Sequence, residues 1–292
     1  MYYEIFSIIA PVFICAVIGY LWVRLEQPFE TSFASKIIVY ISTPCLIFAT
    51  FMEVNIDRAA FLELLLAAFV TTMCFGIIAW PVLKLLKVDL HAFLPSQMFP
   101  NCGNMGLPLC MLAFGDEGLA LGITYFTVNA VLHFSIGMSI SAGHLSFKNL
   151  MRNPIFLAVI ITLIMVFNGI KAPAWLYNSA EILGGISIPM MLIALGVSLA
   201  QFKITSLKLS LSLSFFRLVV GFIVGVGISA LLGLEGAARG VVILQCTMPI
   251  AVFSYLFASQ NNRRPEEVAG TVVLSTILSF LTLPLLLLYI LP

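Results

Sequence analysis

Apolar stretches long enough to cross a bilayer follow one another along this chain with almost nothing between them, and few folds remain open to it. A segment of about 20 apolar residues matches roughly 30 Å of hydrocarbon. Backbone in hydrocarbon must satisfy its own hydrogen bonds, so such segments become helices. Cut at charged or Gly/Pro-rich connections, the sequence divides into ten spans: 5–23, 33–52, 60–83, 94–114, 118–142, 154–170, 176–200, 209–233, 238–259 and 268–291. Of the 292 residues, 61% are hydrophobic and 9% are charged, which leaves no room for a separate soluble domain. The expectation is an all-α, multi-pass protein of the cell membrane with the lipid bilayer as its surroundings. A net charge of +1 gives no reason to expect a nucleic-acid partner.

Lys and Arg fall mainly on one side of these spans. Connections after odd-numbered spans carry residues such as Arg24, Lys36, Lys87, Arg152, Lys203 and Arg263, whereas the other side carries Arg58, Lys171 and Arg239. Basic loops stay in the cytoplasm, so both termini are expected on the non-cytoplasmic side.

Two spans, four and nine, are interrupted by proline and small polar residues. The first reads Phe99-Pro100-Asn101-Cys102-Gly103-Asn104-Met105-Gly106-Leu107-Pro108, and the second Gln245-Cys246-Thr247-Met248-Pro249-Ile250. A broken helix facing lipid would strand backbone polar groups, so such breaks belong where protein encloses a cavity. Pro108 removes a helical hydrogen bond, and Gly103 and Gly106 permit unwinding between about residues 102 and 107. Pro249 is expected to do the same in span nine.

Local matches suggest two halves. Ile41-Ser42-Thr43-Pro44-Cys45-Leu46-Ile47 resembles Ile186-Ser187-Ile188-Pro189-Met190-Met191-Leu192, with the prolines 145 residues apart. Leu85-Leu86-Lys87-Val88-Asp89 parallels Leu231-Leu232-Gly233-Leu234-Glu235, and Pro108 pairs with Pro249. Five spans in each half reverse every helix of the second copy, giving inverted repeats over 1–142 and 154–292 joined by the cytoplasmic linker 143–153. Interrupted spans at matching places in inverted repeats point to a transporter's binding site near the membrane midplane.

Half-helix N-termini carry partial positive charge and suit an anion. Asn101, Asn104, Gln245 and Thr247 lie on or beside the breaks and can each donate hydrogen bonds to a carboxylate. They can equally serve the backbone that the prolines free; two breaks at symmetric places favour the binding role. Asn129 and His133 share one face of span five, as cavity lining or as an interhelical contact. Arg217, inside span eight, can attract an anion, pair with a carbonyl or snorkel to the cytoplasmic interface, the last being slightly favoured. No phosphate loop, nucleophile elbow or zinc-protease motif is found, so no enzymatic activity, cofactor or metal is expected.

The Met105-Gly106-Leu107-Pro108-Leu109 core, Phe114-Gly115-Asp116-Glu117-Gly118, and the stretch from Pro249 through Pro265-Glu266-Glu267 and Ser275 to Leu283-Pro284 resemble the auxin efflux carrier family. The chain looks like a compact prokaryotic-type member, without the long central loop of plant PIN-type exporters. The resemblance implies an elevator-type secondary transporter of small organic anions such as carboxylates. Spans one, two, six and seven would form a scaffold, and three to five with eight to ten the mobile part. Pro108 and Pro249 match the family's crossover prolines, Asn101 its site asparagine, and a homodimer through the scaffold is implied. Alternatives are a sodium-coupled symporter of the bile-acid-transporter type and a membrane sensor that transports nothing.

Overall fold

The structure is a computed structural model that describes residues 2–53, 58–143 and 154–291. α1 (Tyr2–Arg24) is followed by α2 (Thr31–Ile37), which passes through a π-helical turn (Ile38–Ser42) into α3 (Thr43–Glu53). After α4 (Arg58–Leu85), α5 (Leu90–Met98) starts on Asp89, whose carboxylate accepts the His91 N–H at 2.9 Å. A π turn (Cys102–Gly106) opens α6 (Leu107–Leu132), and a second (His133–Gly137) continues it into α7 (Met138–Ala142). Gly143 ends this run with φ 78°, the left-handed conformation glycine adopts without steric cost. The rest comprises α8 (Pro154–Phe167), α9 (Ala174–Gly185), α10 (Ser187–Gln201), α11 (Leu207–Leu231), α12 (Gly236–Thr247), α13 (Val252–Gln260) and α14 (Pro265–Ile290).

Among the described residues, seven helical runs are long and apolar enough to cross a membrane: 3–24, 31–53, 61–85, 102–142, 174–201, 207–231 and 265–290. The protein is therefore a multi-pass helical membrane protein. Expected span 238–259 is not among the seven and span 94–114 enters only through its second part, merged with 118–142 in the run 102–142, because the chain leaves the helical conformation at Phe99 and at Met248. Span 154–170 corresponds to the 14-residue α8. The boundary expected between spans four and five falls inside α6, where Gly115 (φ 65°, ψ −153°) interrupts the helix. Beyond Gly143, the expected linker 143–153 lies outside the described residues.

Helices in lipid gain little from hydrophobic exclusion of one another and rely on close packing through small residues. α1 and α10 show this most clearly. A Cβ on Gly196 would run into the Ala16 carbonyl oxygen, and one on Gly19 would run into that of Ile193. The central core is built by α1, α4, α6, α10, α11, α12 and α14, with Phe75, Leu109, Tyr125, Leu244 and Leu287 fully enclosed.

Candidate binding site

Each break begins with the residue before a proline, which the pyrrolidine ring forces out of the helical region. Phe99 ends α5 in extended conformation (φ −110°, ψ 103°) and Met248 ends α12 likewise (φ −61°, ψ 149°). The two extended pieces cross antiparallel and meet at Pro100 and Ile250. Asn101 donates its N–H to the Pro249 carbonyl at 2.7 Å, and Ala251 donates to the Phe99 carbonyl at 3.1 Å. The Ile250 N–H is taken by the Ser275 hydroxyl of α14 at 3.1 Å. The breaks thus satisfy much of each other's backbone without water, as an apolar interior demands.

The expected unwinding between residues 102 and 107 is corrected by this geometry. The extended break is at Phe99–Asn101, and residues 102–107 already turn helically, through the π turn and into α6. Pro108 sits in the first turn of α6, a position that tolerates a missing N–H. Pro100, not Pro108, is the proline at the crossing with Pro249. Gly106 has a packing role, since a Cβ there would run into Gln245 Oε1. Gly103 lines the cavity, and a Cβ on it would touch the Phe126 ring at 3.0 Å.

Beyond the crossing, two helices start toward a common space: the π turn leading into α6, and α13, whose N-cap Ala251 offers no side-chain acceptor. The first N–H groups of a helix lack intrahelical partners and carry its positive dipole end. The space they face is a cavity of about 40 Å³ lined by Asn101, Gly103, Asn104, Phe126, Asn129, His133 and Phe253, among others. The Asn101 and Asn129 side chains are 4% and 3% exposed, and the Nδ2 group of each has no hydrogen-bond partner. His133 stacks on Phe99 with ring centroids 4.3 Å apart, and its Nε2 lies 3.4 Å from the Ser254 hydroxyl. A second space of about 340 Å³ shares Ile38, Val39, Asn104 and Phe253 with the first and runs on past Ser198, Gln201 and Tyr255.

Other expected site residues lie elsewhere. Gln245 is fully buried between α12 and α6; its Nε2 reaches the Gly122 carbonyl at 3.5 Å and its Oε1 is unpartnered. Thr247 donates its hydroxyl to the Ile243 carbonyl at 2.7 Å and lines an apolar groove with α11 and α14 residues. Neither faces the cavity. Arg217 does not snorkel: its side chain is 1% exposed, and Nη2 donates to the Cys246 carbonyl at 2.8 Å. Anchoring to the buried carbonyl end of α12 holds it inward, with its guanidinium 4.1 Å above the Phe75 ring. Sequence reasoning missed Ser275, Ser254 and Pro100 as site-forming residues. Pro100 carried a readable signal, being the proline next to Asn101.

Residues 4–146 and 140–287 match the membrane transport protein family. An uncharacterized transporter of Methanocaldococcus jannaschii is 25% identical over 86% of this chain and 87% of its own length. A Rhizobium meliloti protein, provisionally named a malonate transporter, is 23% identical over 96% of this chain and 93% of its own. A rice protein, provisionally named auxin efflux carrier component 1b, is 28% identical over 49% of this chain and 26% of its own. Matches over nearly its whole length, to a family of membrane transporters rather than enzymes, place this chain in the membrane transport protein (auxin efflux carrier) family.

Proposed function

We propose that this chain is a secondary transporter of a small organic anion, a carboxylate foremost, bound at the crossing of its two broken segments. The observation that carries this reading is that Asn101 and Asn129 line one cavity and that each has a buried Nδ2 group without a hydrogen-bond partner. A buried donor without an acceptor costs about 1–3 kcal/mol, and a carboxylate, which only accepts, would relieve both costs. The helix starts at Cys102 and Val252 add positive potential from two directions. The smaller space suits a carboxylate head, and the larger one past Asn104 and Phe253 suits the organic body.

Ten helices in two inverted repeats are the architecture behind this proposal, and the packing supports it. α1 packs on α10 while α8 packs on α3, the exchange of partners expected when one half repeats the other. Likewise α4 contacts α5 and α6 as α11 contacts α12 and α14. Thr43 and Ser187, from the matching proline motifs, meet hydroxyl to hydroxyl at 3.1 Å. Transport then follows an elevator scheme, in which the crossing and its surrounding helices shift against a scaffold of α1–α3 and α8–α10. A second copy docks through that scaffold. The larger space lies beside the connections bearing Lys36 and Lys203, so this conformer is open to the cytoplasm with both termini outside.

An anion leaving a cell with an inside-negative potential gains about 2.3 kcal/mol per charge per 100 mV, enough to drive export without a coupled ion. Flux into liposomes containing the purified protein tests the reading, with radiolabelled malonate and indole-3-acetate as probes. Saturable, protein-dependent exchange of either is expected. No protein-dependent flux of any small carboxylate would overturn it.

A further inference from the structure

Arg217 is the one buried Arg, Lys, Asp or Glu among the described residues, and it has no ion-pair partner. Its Nη2 is held by the Cys246 carbonyl, while Nε and Nη1 have no hydrogen-bond partner. Around it stand the Phe75 ring of α4, the end of α12, and the Tyr125 hydroxyl, which is itself occupied by Thr71 at 2.7 Å and Cys246 Sγ at 3.2 Å. An arginine stays protonated in such a setting, and a desolvated charge without a counter-charge is costly. Capping the negative end of α12 offsets part of that cost. A neutral donor would cap the same carbonyl without burying a full charge.

We propose that Arg217 is the fixed counter-charge of the moving part. The inference rests on the transport reading above. Arg217 is anchored through Cys246, two residues from Met248 at the crossing, so whichever body carries the crossing carries the guanidinium. The empty body then holds one buried positive charge. Loaded with a monocarboxylate it is neutral, and loaded with a dicarboxylate it carries one net negative charge. Charge moved per net cycle still equals the substrate's own charge. What Arg217 changes is where voltage acts: for a monocarboxylate, on the empty return and not on the loaded passage.

The test separates loaded passage from empty return. Exchange between saturating internal and external substrate uses only loaded passages, whereas net uptake requires the empty return. In proteoliposomes clamped with valinomycin and potassium, wild-type exchange of indole-3-acetate should be unaffected by reversing the membrane potential, while its net flux responds. Exchange of malonate, presented as a dianion, should respond. In Arg217→Gln, exchange of indole-3-acetate should become voltage-sensitive and net charge on every loaded form should fall by one. Arg217→Lys should behave as wild type. A structural cap alone would leave the voltage profile of Arg217→Gln unchanged, and that result overturns the proposal. Voltage-sensitive exchange of indole-3-acetate by the wild-type protein overturns it without any variant. Absence of all carboxylate exchange by the wild-type protein instead refutes the transport reading and this inference with it.

Discussion

The Asn101 N–H and the Pro249 carbonyl, 148 residues apart in sequence, meet at 2.7 Å where two interrupted helices cross. This contact and its partner, Ala251 to Phe99, lock the breaks together and leave the Asn101 side chain free to face the cavity. The asparagine therefore has a structural half, its backbone, and a half with no partner inside the protein. That division makes the role of its amide separable by mutation.

Asn101→Ala and Asn129→Ala should each weaken carboxylate binding by about 1–3 kcal/mol, the range for losing a donor to a charged partner. Neither should lower the thermal stability of the unliganded protein, because each removes a buried donor that has no acceptor there. Thermal unfolding with and without malonate or indole-3-acetate reads both effects in one titration. A large loss of stability without ligand would show that these amides hold the fold.

Gly106 and Gln245 form a tight contact that should couple energetically. Gly106→Ala drives a methyl into Gln245 Oε1, and relieving that clash should cost about 1–3 kcal/mol. Gln245→Ala should recover most of the loss in the double variant, a non-additivity expected of residues in direct contact. Equal losses in Gly106→Ala with and without Gln245 would mean that the contact is not the cause.

The two prolines singled out in sequence should behave differently. Pro108→Ala should change stability by no more than about 1 kcal/mol, the scale of burying one methylene, and leave binding intact, since α6 is already formed around it. Pro249→Ala restores an N–H where α12 stops and lets that helix extend toward the site. Binding should fall there while the protein still folds. Parallel ligand titrations of the two purified variants decide the matter, and equal effects would restore Pro108 to the crossing.

The broad fold was legible because bilayer physics leaves apolar 20-residue segments one option, and because interruptions such as 99–108 and 245–250 need an enclosed setting. The position of the first break was not. Proline forbids a hydrogen bond but does not say which of Pro100 and Pro108 ends a helix, and the π turn at Cys102–Gly106 leaves no mark in the sequence pattern. Asn101 and Asn104 are legible because they sit at the break, whereas the shared helical face of Asn129 and His133 leaves cavity lining and an interhelical contact equally open; both residues line the cavity, and His133 also reaches Ser254. Gln245 and Thr247 were misplaced because a half-turn of α12 decides whether a side chain meets the cavity, α6 or lipid. For Arg217 the sequence leaves anion attraction, carbonyl pairing and snorkelling open and slightly favours the last; the structure shows the carbonyl pairing, because depth along a helix does not reveal which way a long side chain turns.

The scaffold crossing should tolerate no added bulk. Gly196→Ala would drive a methyl into the Ala16 carbonyl oxygen, a backbone atom that can yield only if α1 and α10 separate. A loss of about 2 kcal/mol or more is expected, at the upper end of overpacking costs. Size-exclusion profiles and thermal unfolding of the detergent-purified variant check it, and a wild-type melting temperature would contradict the close approach.

Everything proposed for the site comes down to one carboxylate bound at the crossing through Asn101 and Asn129. Calorimetric titration of malonate into wild-type protein and into the Asn101→Ala/Asn129→Ala double variant, both verified as folded, reads that binding without any transport step. Saturable binding to the wild type, weakened at least tenfold in the double variant, is the predicted result. Equal affinity in the two proteins would place the anion elsewhere and refute the assignment of the site.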